Sequence, residues 1–155
     1  MTRKKKYAIF FALILVVGAI SLKTWSKNHE GATSLPDTRA RTIRLKDKTI
    51  KVMVADTPEL RAKGLSGREG LARDEGMLFI FDSDGKYQFW MKDMRFNVDI
   101  LWISDKGEVV DIKENASPSI YPAVFAPNSP ARYVLELPAG FVRENLVTVG
   151  DIVRL

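Results

Sequence analysis

The chain has 155 residues, contains no cysteine and carries a formal net charge of +5. Without cysteine it forms no disulfides and offers no thiol nucleophile, no thiolate metal ligand and no lipid attachment point. Residues 3–6 (Arg-Lys-Lys-Lys) hold four of the 24 basic residues, which leaves 20 against 19 acidic residues elsewhere. This balance argues against nucleic acid as a partner, and the length fits one domain with an appended segment.

The basic residues precede an apolar segment from Tyr7 to Leu22. By the positive-inside rule, the amino terminus stays in the cytoplasm and everything after Trp25 lies outside. We therefore predict that residues 1–26 form a helical signal anchor, with the membrane as its partner and a periplasmic carboxyl-terminal part. The small residues Val17-Gly18-Ala19 leave open a cleaved signal peptide and hence a secreted protein.

Residues 27–39 have little to bury and predict a flexible linker, so that residues 40–155 form the folded domain. The only histidine of the chain, His29, lies in this linker. Since the predicted folded domain contains no histidine and the chain no cysteine, neither a histidine metal cluster nor a Ser-His-Asp relay can be assembled in it. We expect no metal and no cofactor, and favour a protein that is not an enzyme.

Alternation of polar and apolar residues predicts a mainly β domain. Residues 42–46 and 49–54 predict a hairpin, and the capping residues, early proline and final glycine of residues 56–64 predict a short helix. A compact antiparallel β-sandwich or a partly open barrel, with one or two short helices, is expected from so many short strands. Three consecutive hairpin-linked strands are predicted at 76–81, 87–92 and 98–103, further strands at 108–113, 132–137 and 149–154, a long loop at 115–130 and a helical turn at 139–145.

Two acidic residues interrupt otherwise apolar strands. Asp99 lies within Val-Asp-Ile-Leu-Trp-Ile, and Glu136 lies within Tyr-Val-Leu-Glu-Leu. An unpaired buried charge is costly, so each side chain must face a partner, water or a ligand. If Lys92 pairs with Asp99 across a hairpin, Asp99 shares the face of Trp90; if Lys92 pairs with Val98, it does not.

One interpretation of these residues is a binding pocket. Trp90 would offer a flat stacking surface, and Asp99 and Glu136 would accept hydrogen bonds from a sugar or a small anion. The positive charge would come from Arg61, Arg68 or Lys92. The alternative is structural: the two acids form ion pairs with Lys92, Arg95 or Arg132, and Trp90 fills the core.

A wider set of residues between Ile43 and Val153 carries a family resemblance. It comprises Gly64, Leu65, Arg68, Gly76 to Phe79, Phe81, Phe89, Trp90, Met91, Lys92, Asp99, Glu136, Gly140, Gly150 and Asp151. With these residues the chain resembles the prokaryotic DUF192 family, proteins of unknown function. The resemblance implies a compact all-β fold and assigns no catalytic role. Ser66 stands where the family commonly has methionine, and Asp93-Met94 stands where it commonly has Asn-Thr.

Three functions are compatible with these features. The first is a membrane-tethered, extracytoplasmic, non-enzymatic module that binds a small or polymeric ligand such as an envelope glycan. The second is a protein-interaction or assembly factor of the cell envelope that uses the loop at 117–130. The third is a hydrolase in which Asp99 and Glu136 act as an acid and base pair, with carboxyl groups about 5 to 9.5 Å apart.

Overall fold

The computed structural model describes residues 40–155, so the predicted signal segment and linker lie outside the described residues. Within this range, neither α-helix is long and apolar enough to cross a membrane. The elements are β1 (Ala40–Leu45), β2 (Lys48–Ala55), α1 (Pro58–Lys63), β3 (Glu75–Gly85), β4 (Phe89–Trp90), β5 (Val98–Ile103), β6 (Val109–Ala116), a 3-10 helix (Pro118–Ile120), β7 (Val124–Phe125), β8 (Ala131–Pro138), α2 (Phe141–Glu144) and β9 (Val153–Arg154).

Seven strands form one curled sheet in the order β6-β5-β8-β3-β2-β1-β9. Neighbours run antiparallel, except that β2 and β3 are parallel. The two edges of the sheet meet where Glu108 and Ile152 form a β-bridge and the Val109 amide donates to the Asp151 carbonyl at 2.9 Å. The prediction of a mainly β fold with two short helices is confirmed, in the form of a partly open barrel.

The elements that depend on local sequence match the prediction. β1 and β2 form the expected hairpin, in which Leu45 faces Lys48. The helix α1 begins after Thr57, whose hydroxyl accepts a hydrogen bond from the Leu60 amide at 3.3 Å, and ends at Gly64 with φ +49°. Such a positive φ is accessible to glycine with little strain, which explains why the helix stops there.

The predicted run of three hairpin-linked strands at 76–81, 87–92 and 98–103 is wrong. β3 pairs with β2 and β8, whereas β5 pairs with β6 and β8. β4 has only two residues and pairs with β7 in a separate small sheet. Asp99 consequently lies opposite Leu137 of β8, and neither hairpin register considered for it occurs. The predicted strand at 149–154 is likewise shorter, because only its last part, β9, extends the sheet.

Residues 86–97 leave the sheet because their apolar side chains cover it instead of extending it. Phe89 and Met91 pack into a cluster with Trp102 of β5, and the Trp102 indole N–H donates to the Tyr87 carbonyl at 2.9 Å. Asp93 has φ +56°, which bends the chain away from a strand path. The segment thus forms a lid of packed residues over one side of the barrel.

Each side of the sheet has its own apolar cluster. The first cluster takes residues from all seven strands, including Val109 and Val153 at the two edges, so it fills the inside of the barrel. The second cluster includes Met77 and Ile100 and lies on the outer side, under the covering segments. Because side chains alternate along a strand, neighbouring residues of β5 and β8 belong to different clusters.

Candidate functional site

A cavity of about 280 Å³ opens on the outer side of the barrel. This volume is near the lower end of the roughly 300 to 1,000 Å³ that is usual for small-molecule sites. It lies between the end of α1, the outer side of β3 and β8, and the segment that contains β4. Five aromatic side chains line it, namely Phe79, Phe81, Tyr87, Phe89 and Trp90.

The aromatic walls hold one another in place. The rings of Phe81 and Tyr87 stack with their centroids 3.5 Å apart, and Phe79 meets Phe89 edge to face at 4.8 Å. A Cβ added to Gly64 would lie 3.4 Å from Cζ of Phe79, in van der Waals contact, so Gly64 lies directly beside this ring. These contacts fix the positions of the aromatic walls relative to one another.

Glu136 lies among the residues that line this cavity, and its side chain is almost completely buried. It is only 4% exposed, and its Oε2 atom has no hydrogen-bond partner among the described residues. Its neighbours across the two adjoining strands are the apolar residues Met77 and Ile100. Burial raises the pKa of Glu136 to about 8, with no opposing charge as a cause. At neutral pH the group is therefore mostly a neutral carboxylic acid that can donate as well as accept a hydrogen bond.

Asp99 is also fully buried, but on the inner side of the barrel. Ile100 lies opposite Glu136 and Asp99 lies opposite Leu137, so the two acids point to opposite faces of the sheet. Oδ1 of Asp99 accepts a hydrogen bond from the Asn115 amide at 2.8 Å, and Oδ2 accepts one from the Val142 amide at 2.9 Å. Asp99 thus joins the end of β6 and the start of α2 to β5, and it does not form an acid and base pair with Glu136.

The structure also distinguishes the predicted basic residues. Arg61 lines the cavity; its Nη1 atom donates to the carbonyls of Asp56 and Ile80 at 2.9 and 2.8 Å. Arg68 and Lys92 are not among the lining residues. The Lys92 ammonium instead lies 5.8 Å from the centre of the Trp90 ring. Of the predicted site residues, the structure therefore brings Arg61, Trp90 and Glu136 to one cavity.

The structural alternative does not account for the two acids. Arg95 pairs with Glu69, and Arg132 pairs with Asp84 at 2.7 Å, so neither basic residue neutralises Asp99 or Glu136. Trp90 does not fill the core, since it is 49% exposed. Its ring meets that of Tyr121 edge to face at 6.3 Å, beside the cavity.

Several lining residues were not predicted from the sequence. Lys63 has no signal beyond its place in the last turn of α1, and Ser66 differs from the methionine common in the resembling family. The aromatic residues from Phe79 to Phe89 stood out by their density, but density alone indicates a core and not a cavity. Gly64, the glycine predicted to end the helix, was the one local sign that the chain turns beside this wall of the cavity.

Taken together, the geometry defines a small β-barrel domain with one aromatic cavity over a buried acid. The family model DUF192, described as an uncharacterized ACR, matches residues 41–155. The chain therefore belongs to the DUF192 family, and this confirms the resemblance.

Solved structures show the same fold. One is a protein of Sinorhizobium meliloti 1021 described as a candidate transcription regulator; it is 34% identical, has a TM-score of 0.71, and the match covers 74% of this chain and 92% of that one. Another is a protein of unknown function from Novosphingobium aromaticivorans DSM 12444, 25% identical with a TM-score of 0.71, where the match covers 75% of this chain and 85% of that one. A comparison with curated proteins gave no match.

Proposed function

We propose that the protein is a membrane-tethered, extracytoplasmic module that binds a sugar ring of an envelope glycan in the cavity at Glu136, without catalysing a reaction. The observation that carries this proposal is the unpaired Oε2 atom of Glu136, buried at an aromatic cavity. Buried polar atoms are nearly always hydrogen-bonded, so each exception calls for an explanation, such as a functional role or a bound molecule. A ligand hydroxyl at the cavity supplies the missing partner.

The walls of the cavity suit a sugar. A pyranose ring has an apolar face formed by its C–H groups, and half-exposed aromatic rings such as Trp90 offer a matching flat surface. A neutral carboxylic acid can donate one hydrogen bond and accept another from neighbouring hydroxyls, which Glu136 is suited to do. The predicted signal anchor at residues 1–26 supports a location at the envelope, where such ligands are polymeric.

The hydrolase alternative is not favoured by this site. Glycoside hydrolysis needs a second carboxyl group about 5 to 9.5 Å from the first. Among the described residues that line the cavity, Glu136 is the only acid. Asp99, the predicted second acid, faces the inside of the barrel.

The test is a thermal-shift titration of the full-length chain, purified in a mild detergent, with glucose, N-acetylglucosamine, glucuronate and short glucan chains. A ligand that binds only the native state stabilises it by about 2.7 kcal/mol at 100 times its Kd, which is easily measured as a rise in Tm. We expect a rise with at least one sugar, its loss in Glu136→Leu and Trp90→Ala, and its retention in Leu146→Ser, whose exposed side chain is not among the cavity-lining residues. No rise with any sugar, or an equal rise in Glu136→Leu, would refute the proposal.

A second candidate, the protein-interaction or assembly factor, is favoured by one observation. Trp90, Ile120, Tyr121 and Val124 are 39 to 49% exposed. Three of them come from the predicted contact loop, and Trp90 contacts this group because it pairs with Val124 in the small sheet. If an envelope protein binds there, the double variant Ile120→Ser/Val124→Ser should lose its cross-linked partner while Leu146→Ser keeps it. Equal cross-linking in both variants would exclude this candidate.

A further inference from the structure

The charges around the cavity are unevenly distributed. Arg61 and Lys63 both line it, whereas Glu136 is the only acid among its described lining residues. Because burial keeps Glu136 mostly neutral near pH 7, the lining carries a net positive charge. A positive lining attracts a ligand with a negative group and repels one with an ammonium group.

The two basic side chains still have unused hydrogen-bond donors. Within residues 40–155, Lys63 forms no salt bridge, and the only hydrogen bonds of the Arg61 guanidinium come from Nη1. A guanidinium has five N–H donors, so Arg61 has others to offer. Charged donors of this kind bind carboxylates more strongly than neutral donors do.

The aromatic faces give a second, independent argument against a cationic ligand. Aromatic cages bind ammonium groups through the open faces of their rings. Here the Arg61 guanidinium lies 5.1 Å from the centre of the Phe81 ring, and the Lys92 ammonium lies 5.8 Å from that of Trp90. The chain's own cations already contact two of the five aromatic walls.

We infer that the cavity is selective for an acidic sugar, whose hydroxyl groups meet the unpaired carboxyl of Glu136 and whose carboxylate meets Lys63 and Arg61. This inference rests on the proposed function and adds the charge of the ligand to it. The same residues disfavour an amino sugar, which would bring an ammonium group to a positive lining.

Three sugars with the same ring but different charge test the inference: glucuronate, glucose and glucosamine. Their affinities for the full-length chain are measured by isothermal titration calorimetry at pH 6.5 and low salt. We expect glucuronate to bind at least about tenfold more tightly than glucose, and glucosamine to bind more weakly than glucose. Lys63→Gln should lower the glucuronate affinity about threefold and so reduce the ratio of glucuronate affinity to glucose affinity. Lys106→Gln, which removes an exposed charge that does not line the cavity, should change neither.

The outcomes separate this inference from the proposed function. If glucose binds as tightly as glucuronate, or if glucosamine binds most tightly, the charge selectivity is refuted while sugar binding stands. If Lys63→Gln and Lys106→Gln have equal effects on glucuronate, the assigned contact is refuted. If none of the three sugars binds, the inference fails, and the proposed function then depends on the longer glycans of the thermal-shift panel.

Discussion

The two buried acids of this domain differ in almost every respect except their exposure. Asp99 and Glu136 lie on adjacent strands, one position out of register, and so face opposite sides of the sheet. Both oxygens of Asp99 accept hydrogen bonds from backbone amides, whereas Oε2 of Glu136 has no partner among the described residues. Each acid lies in an otherwise apolar strand, so the sequence context does not distinguish them. The side of the sheet decides which acid is structural and which is available to a ligand.

The largest expected effect comes from removing Asp99, the acid whose two oxygens both accept hydrogen bonds. Asp99→Ala leaves the amides of Asn115 and Val142 without this acceptor; the Val142 hydrogen bond is buried and the Asn115 hydrogen bond is partly buried. An orphaned buried amide costs about 1 to 3 kcal/mol and a partly exposed one costs less, so we expect the free energy of unfolding to fall by roughly 3 kcal/mol. Urea denaturation measures this loss. A loss below about 1 kcal/mol, the size expected of an ordinary surface change, would mean that these hydrogen bonds do not support the fold.

Removing Glu136, the unpaired acid, should instead raise the free energy of unfolding. In the unfolded chain Glu136 ionises near its ordinary pKa, whereas in the folded chain it must keep its proton up to about pH 8. Glu136→Leu removes this difference, and we expect a gain of about 2 kcal/mol in the free energy of unfolding at pH 7. Glu144→Leu, at an exposed position of α2, is the matched control and should change stability by less than about 0.5 kcal/mol. A clear destabilisation by Glu136→Leu would show that the acid has a structural partner.

The contrast between the two acids also shows how far the sequence leads. The β1–β2 hairpin and the caps of α1 are set by residues close in the chain, and both could be predicted. The pairing of β5 with β8 joins residues 30 to 40 positions apart, and no local pattern specifies it. Since this pairing decides the face of Asp99, its role could not be predicted either.

The same limit applies to the cavity. The apolar neighbours of Glu136 in the sequence already show that this acid is unusual in its strand. Lys63 lines the cavity, whereas Arg68 and Lys92 do not. This difference depends on how α1 lies against β3, where Arg61 donates to the Ile80 carbonyl. Only the folded chain brings these elements together, so the residue types of the site were accessible from the sequence, but not their complete set.

The pH dependence of stability tests the state of Glu136 directly. Between about pH 4.5 and 8 the folded chain holds a proton that the unfolded chain releases, so stability should fall as pH rises through this range. The expected slope is roughly 1 kcal/mol per pH unit, measured by urea denaturation at a series of pH values. Glu136→Gln should flatten the slope because it removes the titrating group. Hydrogen bonds lower the pKa values of Asp47, Asp74 and Asp151, so these groups affect stability mainly below about pH 4.5. They do so equally in the wild type and in Glu136→Gln.

The smallest expected effect is a difference in sugar affinity between two glycine variants, one near each buried acid. Gly64 has φ +49° and lies beside the cavity. Gly140 has φ +90° and precedes α2, the helix that contacts Asp99. An alanine at Gly140, in the left-handed region, strains the backbone by about 1 to 2 kcal/mol, and at Gly64, whose ψ of −134° lies in a region that mainly glycine adopts, by about 1 to 3 kcal/mol. Both variants should therefore lower stability, Gly64→Ala at least as much as Gly140→Ala. Only Gly64→Ala adds a methyl group against Phe79, at 3.4 Å, in the wall of the cavity. Sugar affinity, measured by calorimetry, should therefore fall in Gly64→Ala and remain unchanged in Gly140→Ala; an equal loss in both would indicate that the inner side of the barrel also governs binding.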